Sequence, residues 1–274
     1  EDTLKALRED PDGPQIDLKT ELIDNITGRV SFVVDYKMPI NPDSERLVTA
    51  IEIKNEAAMA KAVEKLLAND EYVQPLSYEG HIIWKTDFDK LKQQNQGDDD
   101  DPLTLDDLDI VNPNAPADDE PQIEPLFPNT TICVAKGQLF VASDLDFMLE
   151  ILKSRLNQRD TLAGTVDYQV VNVAAEVLGA GSDFVRQFSR TDESSRPGYE
   201  LLRSGQLYDN NMLSTKIINA LMRPTPEGDQ PEKPKFDGSK LPNFDTIRRY
   251  YGPYGMFGTT EDDGWFFKGF LLKK

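Results

Sequence analysis

The chain carries one histidine, His81, and one cysteine, Cys133. The two side chains that most often do acid–base and nucleophilic work near neutral pH are therefore each present once. A zinc site built on imidazoles needs at least two of them and a cysteine cluster needs several thiols, so both are excluded, as is an intrachain disulfide. His81 follows Gly80 at the start of the apolar run Ile82-Ile83-Trp84 and reads as an edge or surface imidazole. Cys133 lies among apolar neighbours in a strand pattern and reads as a small core residue with a protonated thiol. No Gly-x-Ser-x-Gly elbow, Ser-x-x-Lys pair or phosphate-binding glycine loop is present. Gly179-Ala180-Gly181 follows a helix pattern and ends it, and Asp237-Gly238-Ser239-Lys240 lacks the upstream glycine of a phosphate loop. Paired carboxylates remain, since acidic residues are abundant. Two of them facing each other, one buried with a raised pKa, would hydrolyse a glycoside. Asp98–Asp101 offers oxygen ligands but lacks the glycine of a calcium loop, which leaves calcium binding open. No catalytic, cofactor-binding or metal-binding residue is assigned.

The most unusual grouping is basic and aromatic. Arg186, Arg190, Arg196 and Arg203 are followed by Arg248, Arg249, Tyr250, Tyr251 and Tyr254. Guanidinium groups among aromatic rings bind carboxylates, here those of a partner protein or an envelope polymer. The competing reading pairs them internally with Asp192, Glu193 and Glu200, fixing the second half of the chain. Arg186, Arg190, Arg196, Arg248, Arg249, Tyr250 and Tyr251 are the candidate partner-binding residues.

The elements that must position these residues follow from periodicity. Asn129–Leu156 predicts strand, tight turn at Lys136-Gly137, strand and helix, and is the expected centre of the fold. Ile132 and Val134 alternate with Cys133 and Ala135, so apolar residues point to both faces, as in a strand covered on both sides. Ser143 and Asp146 have capping-box spacing ahead of a stripe at Leu145, Met148, Leu149, Leu152 and Leu156. Before this centre, Asp17–Asp24 predicts a helix, Arg29–Tyr36 and Arg46–Ile53 two strands, and Asn55 the cap of a helix carrying Met59, Ala62, Val63, Leu66 and Leu67. Two further strands, around Tyr72–Tyr78 and His81–Thr86, meet at Glu79-Gly80. Residues 93–128, rich in Asp and Pro, predict an exposed insertion. After it come a helix from Asp167, a strand over Asp183–Arg190, helices near Glu200–Ser204 and Met212–Met222, a proline-rich loop over Arg223–Pro234 and a short helix at Asp245–Tyr251. A closing hairpin, Tyr254–Thr260 and Trp265–Leu272, has a last strand apolar on both faces and is expected inside its sheet. The sum is an α+β fold with a largely antiparallel, mixed sheet. Residues 1–160 form one lobe and 161–274 a second, with the two lobes either separate, duplicated or sharing one sheet.

Composition narrows the function. Thirty Lys and Arg against 49 Asp and Glu give a net charge of −19, which opposes nucleic acid and anionic membranes. No apolar run is long enough to span a membrane. The chain begins at Glu1 rather than Met, as after removal of an export signal or anchor. The segments LREDPDGPQIDL (Leu7–Leu18), VVDYKMPINPDSERL (Val33–Leu47), ICVAKGQLFVASDLDF (Ile132–Phe147), FSRTDESSRPGYELLRSG (Phe188–Gly205) and DGSKLPNFDTIRRYYGPYG (Asp237–Gly255) resemble a group of "membrane or secreted" proteins of planctomycete-type bacteria, a domain of unknown function. The resemblance implies an extracytoplasmic location, secreted or in the cell envelope, and transfers no site residue. The expected function is non-catalytic, structural or partner-binding, with a carboxylate hydrolase or a carrier of a small apolar ligand as alternatives.

Overall fold

The structure, a computed structural model, describes residues 13–87, 130–154, 161–181, 183–206 and 237–274, with Arg8 and Lys90. The acidic insertion at 93–128, the helix expected over Met212–Met222 and the loop Arg223–Pro234 lie outside these residues, as does most of Leu4–Arg8, whose sequence reads as a short helical turn. Two compact units divide the chain. The first comprises Glu1–Val34, Arg46–Ser154 and Lys216–Gln230, the second Asp35–Glu45, Arg155–Thr215 and Pro231–Lys274. The fold is α+β. The described strands form two sheets, one of six strands and one of three.

The six-stranded sheet is built from β1 (Ile26–Tyr36), β2 (Glu45–Ile53), β3 (Val73–Tyr78), β4 (His81–Thr86), β5 (Thr131–Ala135) and β6 (Gln138–Ala142), in the order β1-β2-β6-β5-β4-β3. The hairpin β5–β6 is its middle, with Cys133 paired to Phe140 and Ala135 to Gln138. Lys136 and Gly137 between them have φ of 54° and 72°, the doubly left-handed turn whose twist matches the flanking strands. Helix α1 (Glu56–Leu67) and helix α2 (Leu145–Lys153) supply the two layers. Cys133, Ala135, Phe140 and Ala142 pack with Phe147, Met148 and Leu152 of α2. Val134 and Trp84 pack with Met59 and Val63 of α1. The alternation read in β5 is thus the alternation of two buried faces.

Local hydrogen bonds lock the layers to the central turn. Lys136 Nζ donates to the carbonyls of Ile151 at 2.8 Å and Ser154 at 2.7 Å, meeting the unsatisfied C-terminal end of α2. The Gly137 N–H donates to Glu56 Oε2 in the first turn of α1 at 2.7 Å. Asn55 caps α1 through the Ala58 N–H. The cap of α2 is Asp144, which accepts from the Phe147 N–H at 2.9 Å, not Ser143 as expected. Ser143 Oγ is engaged elsewhere: it accepts from the Leu47 N–H of β2 at 2.8 Å, so tertiary pairing takes the hydroxyl and leaves the cap to its neighbour. The helix expected at Asp17–Asp24 is a wide turn over Leu18–Leu22 and a 3₁₀ turn over Ile23–Asn25.

In the second unit, β7 (Asp183–Ser189), β8 (Tyr254–Glu261) and β9 (Gly264–Leu271) form an antiparallel sheet in that order. Helix α3 (Val166–Val177) lies on one face, burying Val171 and Ala175. A side chain at Gly255 would stand 2.6 Å from Val171 Cγ1, so glycine there permits the close approach of helix and sheet. Helix α4 (Arg196–Ser204) buries Leu201 and stops at Gly205, whose φ is 74°. The closing strand is the exception to expectation. β9 occupies the sheet edge and is exposed along most of its length. Its apolar residues do point to both faces, but only one face has a helix upon it, and alternation alone could not reveal which.

Cys133 is fully buried, and burial pushes its thiol up to about 11. A thiol reagent at pH 8 should leave the native protein unlabelled and label it stoichiometrically in denaturant. Labelling of the native protein at the rate of a free thiol would contradict the two-layer cover of β5.

Candidate functional site

The arginines of interest converge on the connection that follows β7. A helical turn, Thr191–Ser194, leads into α4, whose first turn carries Pro197. Proline there has the φ a helix requires and no N–H to waste. This geometry turns Asp192 inward, where it is 5% exposed. Lys274 makes an ion pair with Asp192, Arg248 lies 3.5 Å away and Arg190 3.9 Å away. Glu193 pairs with the same Arg248, receives a hydrogen bond from the Tyr36 hydroxyl at 2.8 Å, and has Arg190 and Arg196 at 3.8 and 3.9 Å. Arg196 donates to Asp245 at 2.6 Å and lies over the Phe244 ring at 4.9 Å from its centre. Asp167 approaches Arg190 at 4.0 Å. Four cations, Arg190, Arg196, Arg248 and Lys274, therefore face four carboxylates, Asp167, Asp192, Glu193 and Asp245. The cluster is close to neutral.

Its protonation follows from these contacts. Burial pushes the Asp192 carboxyl up, but Lys274, Arg190 and Arg248 outweigh burial and hold it below its ordinary 3.8. Burial, then the Glu193 carboxylate beside it, pushes the Tyr36 phenol up to about 12. Both groups keep one protonation state across the physiological range. A general acid needs the reverse, a carboxyl whose pKa is raised. Asp183 is likewise held low, by its two hydrogen bonds from Arg186.

The seven candidate residues thus have different places. Arg190, Arg196 and Arg248 enter the network. Arg186 stands apart, bonded to Asp183 at 2.7 and 2.9 Å and to Asn172 at 2.7 Å. Tyr251 stacks on Phe244, centroids 6.2 Å apart. Arg249 and Tyr250 face outward as a pair, the guanidinium 4.9 Å from the ring centre and donating to the phenol oxygen at 2.9 Å. Glu200 pairs with Arg203 at 2.8 Å, an internal pairing of the expected kind.

A hollow of about 420 Å³ in the first unit is lined by Gly13, Pro14, Gln15, Lys61, Glu64 and Lys65 among others. Its charged lining is unlike the apolar cavity a lipid or small apolar ligand needs. Among the described residues no three His, Cys, Asp or Glu side chains are placed to hold a metal ion, and no helix is long and apolar enough to cross a membrane.

Sequence reasoning missed the surface that is most unusual. Val166, Val170, Val173 and Val177 line the outer side of α3 and are 71, 43, 59 and 82% exposed. Their 4-3-4 spacing was legible in the sequence and is that of a helix-packing seam. Tyr168, Val171 and Ala175 take the opposite side of the helix, Tyr168 edge-on to Phe188 of β7 and Val171 and Ala175 buried. On the sheet face away from α3, Phe184 packs against Trp265 and Phe267 with centroids 6.2 and 5.7 Å apart, and all three rings are more than half exposed. Comparison of the chain with family models, with curated proteins and with solved structures finds no match.

Replacing Asp192→Asn removes the charge that balances Lys274 and Arg248. Because both cations are partly solvated, the expected loss is on the order of 2–3 kcal/mol, below that of a fully buried pair. The linkage has a definite sign. A carboxyl whose folded pKa lies below its unfolded value stabilises above that value, and the gain disappears as pH falls through the folded pKa. The difference in melting temperature between wild type and Asp192→Asn should therefore be full at pH 6 and shrink below pH 3.8, the ordinary value for the group. A difference independent of pH would show that the variant acts through packing.

Proposed function

We propose that this protein works by contact outside the cytoplasm, as a non-catalytic structural or partner-binding component of a bacterial envelope or secreted assembly. The observation that carries the contact reading is the valine seam of α3. Four β-branched side chains stand in line on a helix whose opposite side is already used for folding. Monomeric proteins seldom leave such a row in water. Valine at successive seam positions suits a second helix packed alongside, and branched side chains lose little rotamer freedom in that contact.

Charge defines the partner further. Asp167 and Glu176 flank the seam on α3, and the chain as a whole is strongly acidic. A partner helix with lysine or arginine beside its apolar stripe is complementary in sign, and acidic flanks would be repelled. Arg249 and Tyr250 provide a polar contact of the opposite charge elsewhere on the second unit. The extracytoplasmic part of the reading is supported by the resemblance of the quoted segments to exported proteins. The depressed carboxyl pKa values of Asp192 and Asp183 favour contact over the hydrolase alternative.

The test uses the purified chain as bait against envelope extract of the source organism. Val170→Lys with Val173→Lys alters only exposed side chains, so the fold should persist and the melting temperature move by less than about 1 kcal/mol equivalent. Retention of the native partner should fall at least about ten-fold, the loss expected when a central contact is charged. Undiminished retention would remove the seam from the reading. Turnover of a substrate, abolished by loss of one carboxylate, would overturn the non-catalytic assignment.

A further inference from the structure

The edge strand β9 is open to pairing in a way natural edges seldom are. Among the described residues β8 is its only neighbour, and the ladder between them runs without a bulge from Tyr254–Leu271 to Glu261–Gly264. Edges are usually guarded by proline, a bulge or an outward lysine. β9 has no proline, and its one lysine is diverted: Lys268 Nζ donates to the Leu178 carbonyl at 3.1 Å and lies over the Phe257 ring. The outer backbone row of β9 is left beside Trp265, Phe267 and Leu271, which are 73, 56 and 61% exposed on the face away from α3. A side chain at Gly258 would meet Val185, Phe184 and Phe267 within 3.0 Å, so glycine there lets the rings close into one apolar surface.

We propose that β9 pairs antiparallel with β9 of a second copy of this chain, joining two three-stranded sheets into one of six. The surface is separate from the α3 seam, and the inference does not depend on that reading. Register selects the pairing. A two-fold axis at Phe267 sets Phe267 opposite Phe267 of the second copy, Trp265 opposite Gly269 and Phe266 opposite Lys268. At these positions a ring meets a ring, a glycine or a cation, each of them favourable across strands. An axis one residue on, at Lys268, would set two ammonium groups against each other and is disfavoured.

Pairing along the edge adds backbone hydrogen bonds and sets Trp265 and Phe267 of the two copies side by side, while Phe184, two strands away on β7, stays outside the contact. The interface is small, of the size of weak association. The charge of −19 on each copy opposes association, but at physiological ionic strength it is screened beyond about 8 Å. The dimer should therefore form at micromolar concentrations, not nanomolar.

Sedimentation equilibrium of the purified chain between about 1 and 200 μM tests this, a range bracketing a dissociation constant near 10 μM. Wild type should pass from monomer to dimer across it. Phe267→Lys should weaken the dimer at least about ten-fold, with an unchanged circular dichroism spectrum because the side chain is more than half exposed. Phe32→Lys, on the other apolar edge strand β1, should leave the dimer intact. Phe267→Cys places two thiols on the axis and should yield a disulfide-linked dimer on mild oxidation. A monomer at every concentration, a dimer indifferent to Phe267→Lys, or one weakened equally by Phe32→Lys would overturn the proposal.

Discussion

A carboxylate shut away from water must be answered by cations, and Asp192 sets that requirement for the second unit. Its partners come from distant parts of the chain: Arg190 from the end of β7, Arg248 from the turn before β8, and Lys274 after β9. Glu193 adds Tyr36 to the same cluster. Among the described residues of this unit, Leu201, Phe244, Phe257, Val171 and Ala175 are buried apolar side chains. A buried ion pair contributes little net stability over a well-packed apolar substitute, because desolvation cancels most of the attraction. What it does supply is selectivity. Any arrangement of these segments that leaves Asp192 buried without its cations costs several kcal/mol. The network therefore decides which arrangement forms, while packing decides how stable it is.

The first unit is organised differently. Its sheet is covered by α1 on one face and α2 on the other, and the ties between layers are hydrogen bonds to helix ends together with the ion pair of Arg46 on β2 with Glu150 on α2, 2.9 Å. Lys136 acts there as the counterpart of Asp192. It is a single charged side chain in a turn, placed on the free carbonyls of α2, where both charge and hydrogen-bonding capacity are complementary. The left-handed turn that positions Lys136 also delivers the Gly137 N–H to Glu56. One two-residue turn thus fixes the hairpin register and anchors both covering helices.

Much of this organisation was legible in the sequence, and the boundary follows from the range of each interaction. The hairpin β5–β6, its turn and the α2 stripe depend on residues within thirty positions of one another, and periodicity reports them. The Asn55 cap is equally local. The tie between Ser143 and Leu47 is not, which is why Ser143 looked like a cap. The arginine cluster gives the same lesson. Spacing correctly grouped Arg190, Arg196 and Arg248 with Asp192 and Glu193. It could not separate Arg186, because the Asn172 contact depends on β7 meeting α3. For β9, alternation identified a strand with two apolar faces, but whether another strand lies beyond it is a property of topology and leaves no mark on the strand itself.

These constraints also bear on the proposal that the molecule works by contact. Proton transfer needs a group that changes state near the working pH, in a place a substrate can reach. Asp192 and Asp183 are held ionised by their cations, Tyr36 is held protonated, and the Cys133 thiol is buried and pushed up. Each perturbation moves its group away from neutrality, so each perturbed site fixes a state instead of switching one. Shifts in this direction are what structural ion pairs and burial produce. With its guanidinium groups largely committed to those ion pairs, the second unit exposes, among the described residues, a row of valines on α3 and a sheet edge of aromatic rings, the two surfaces on which the proposed contacts rest.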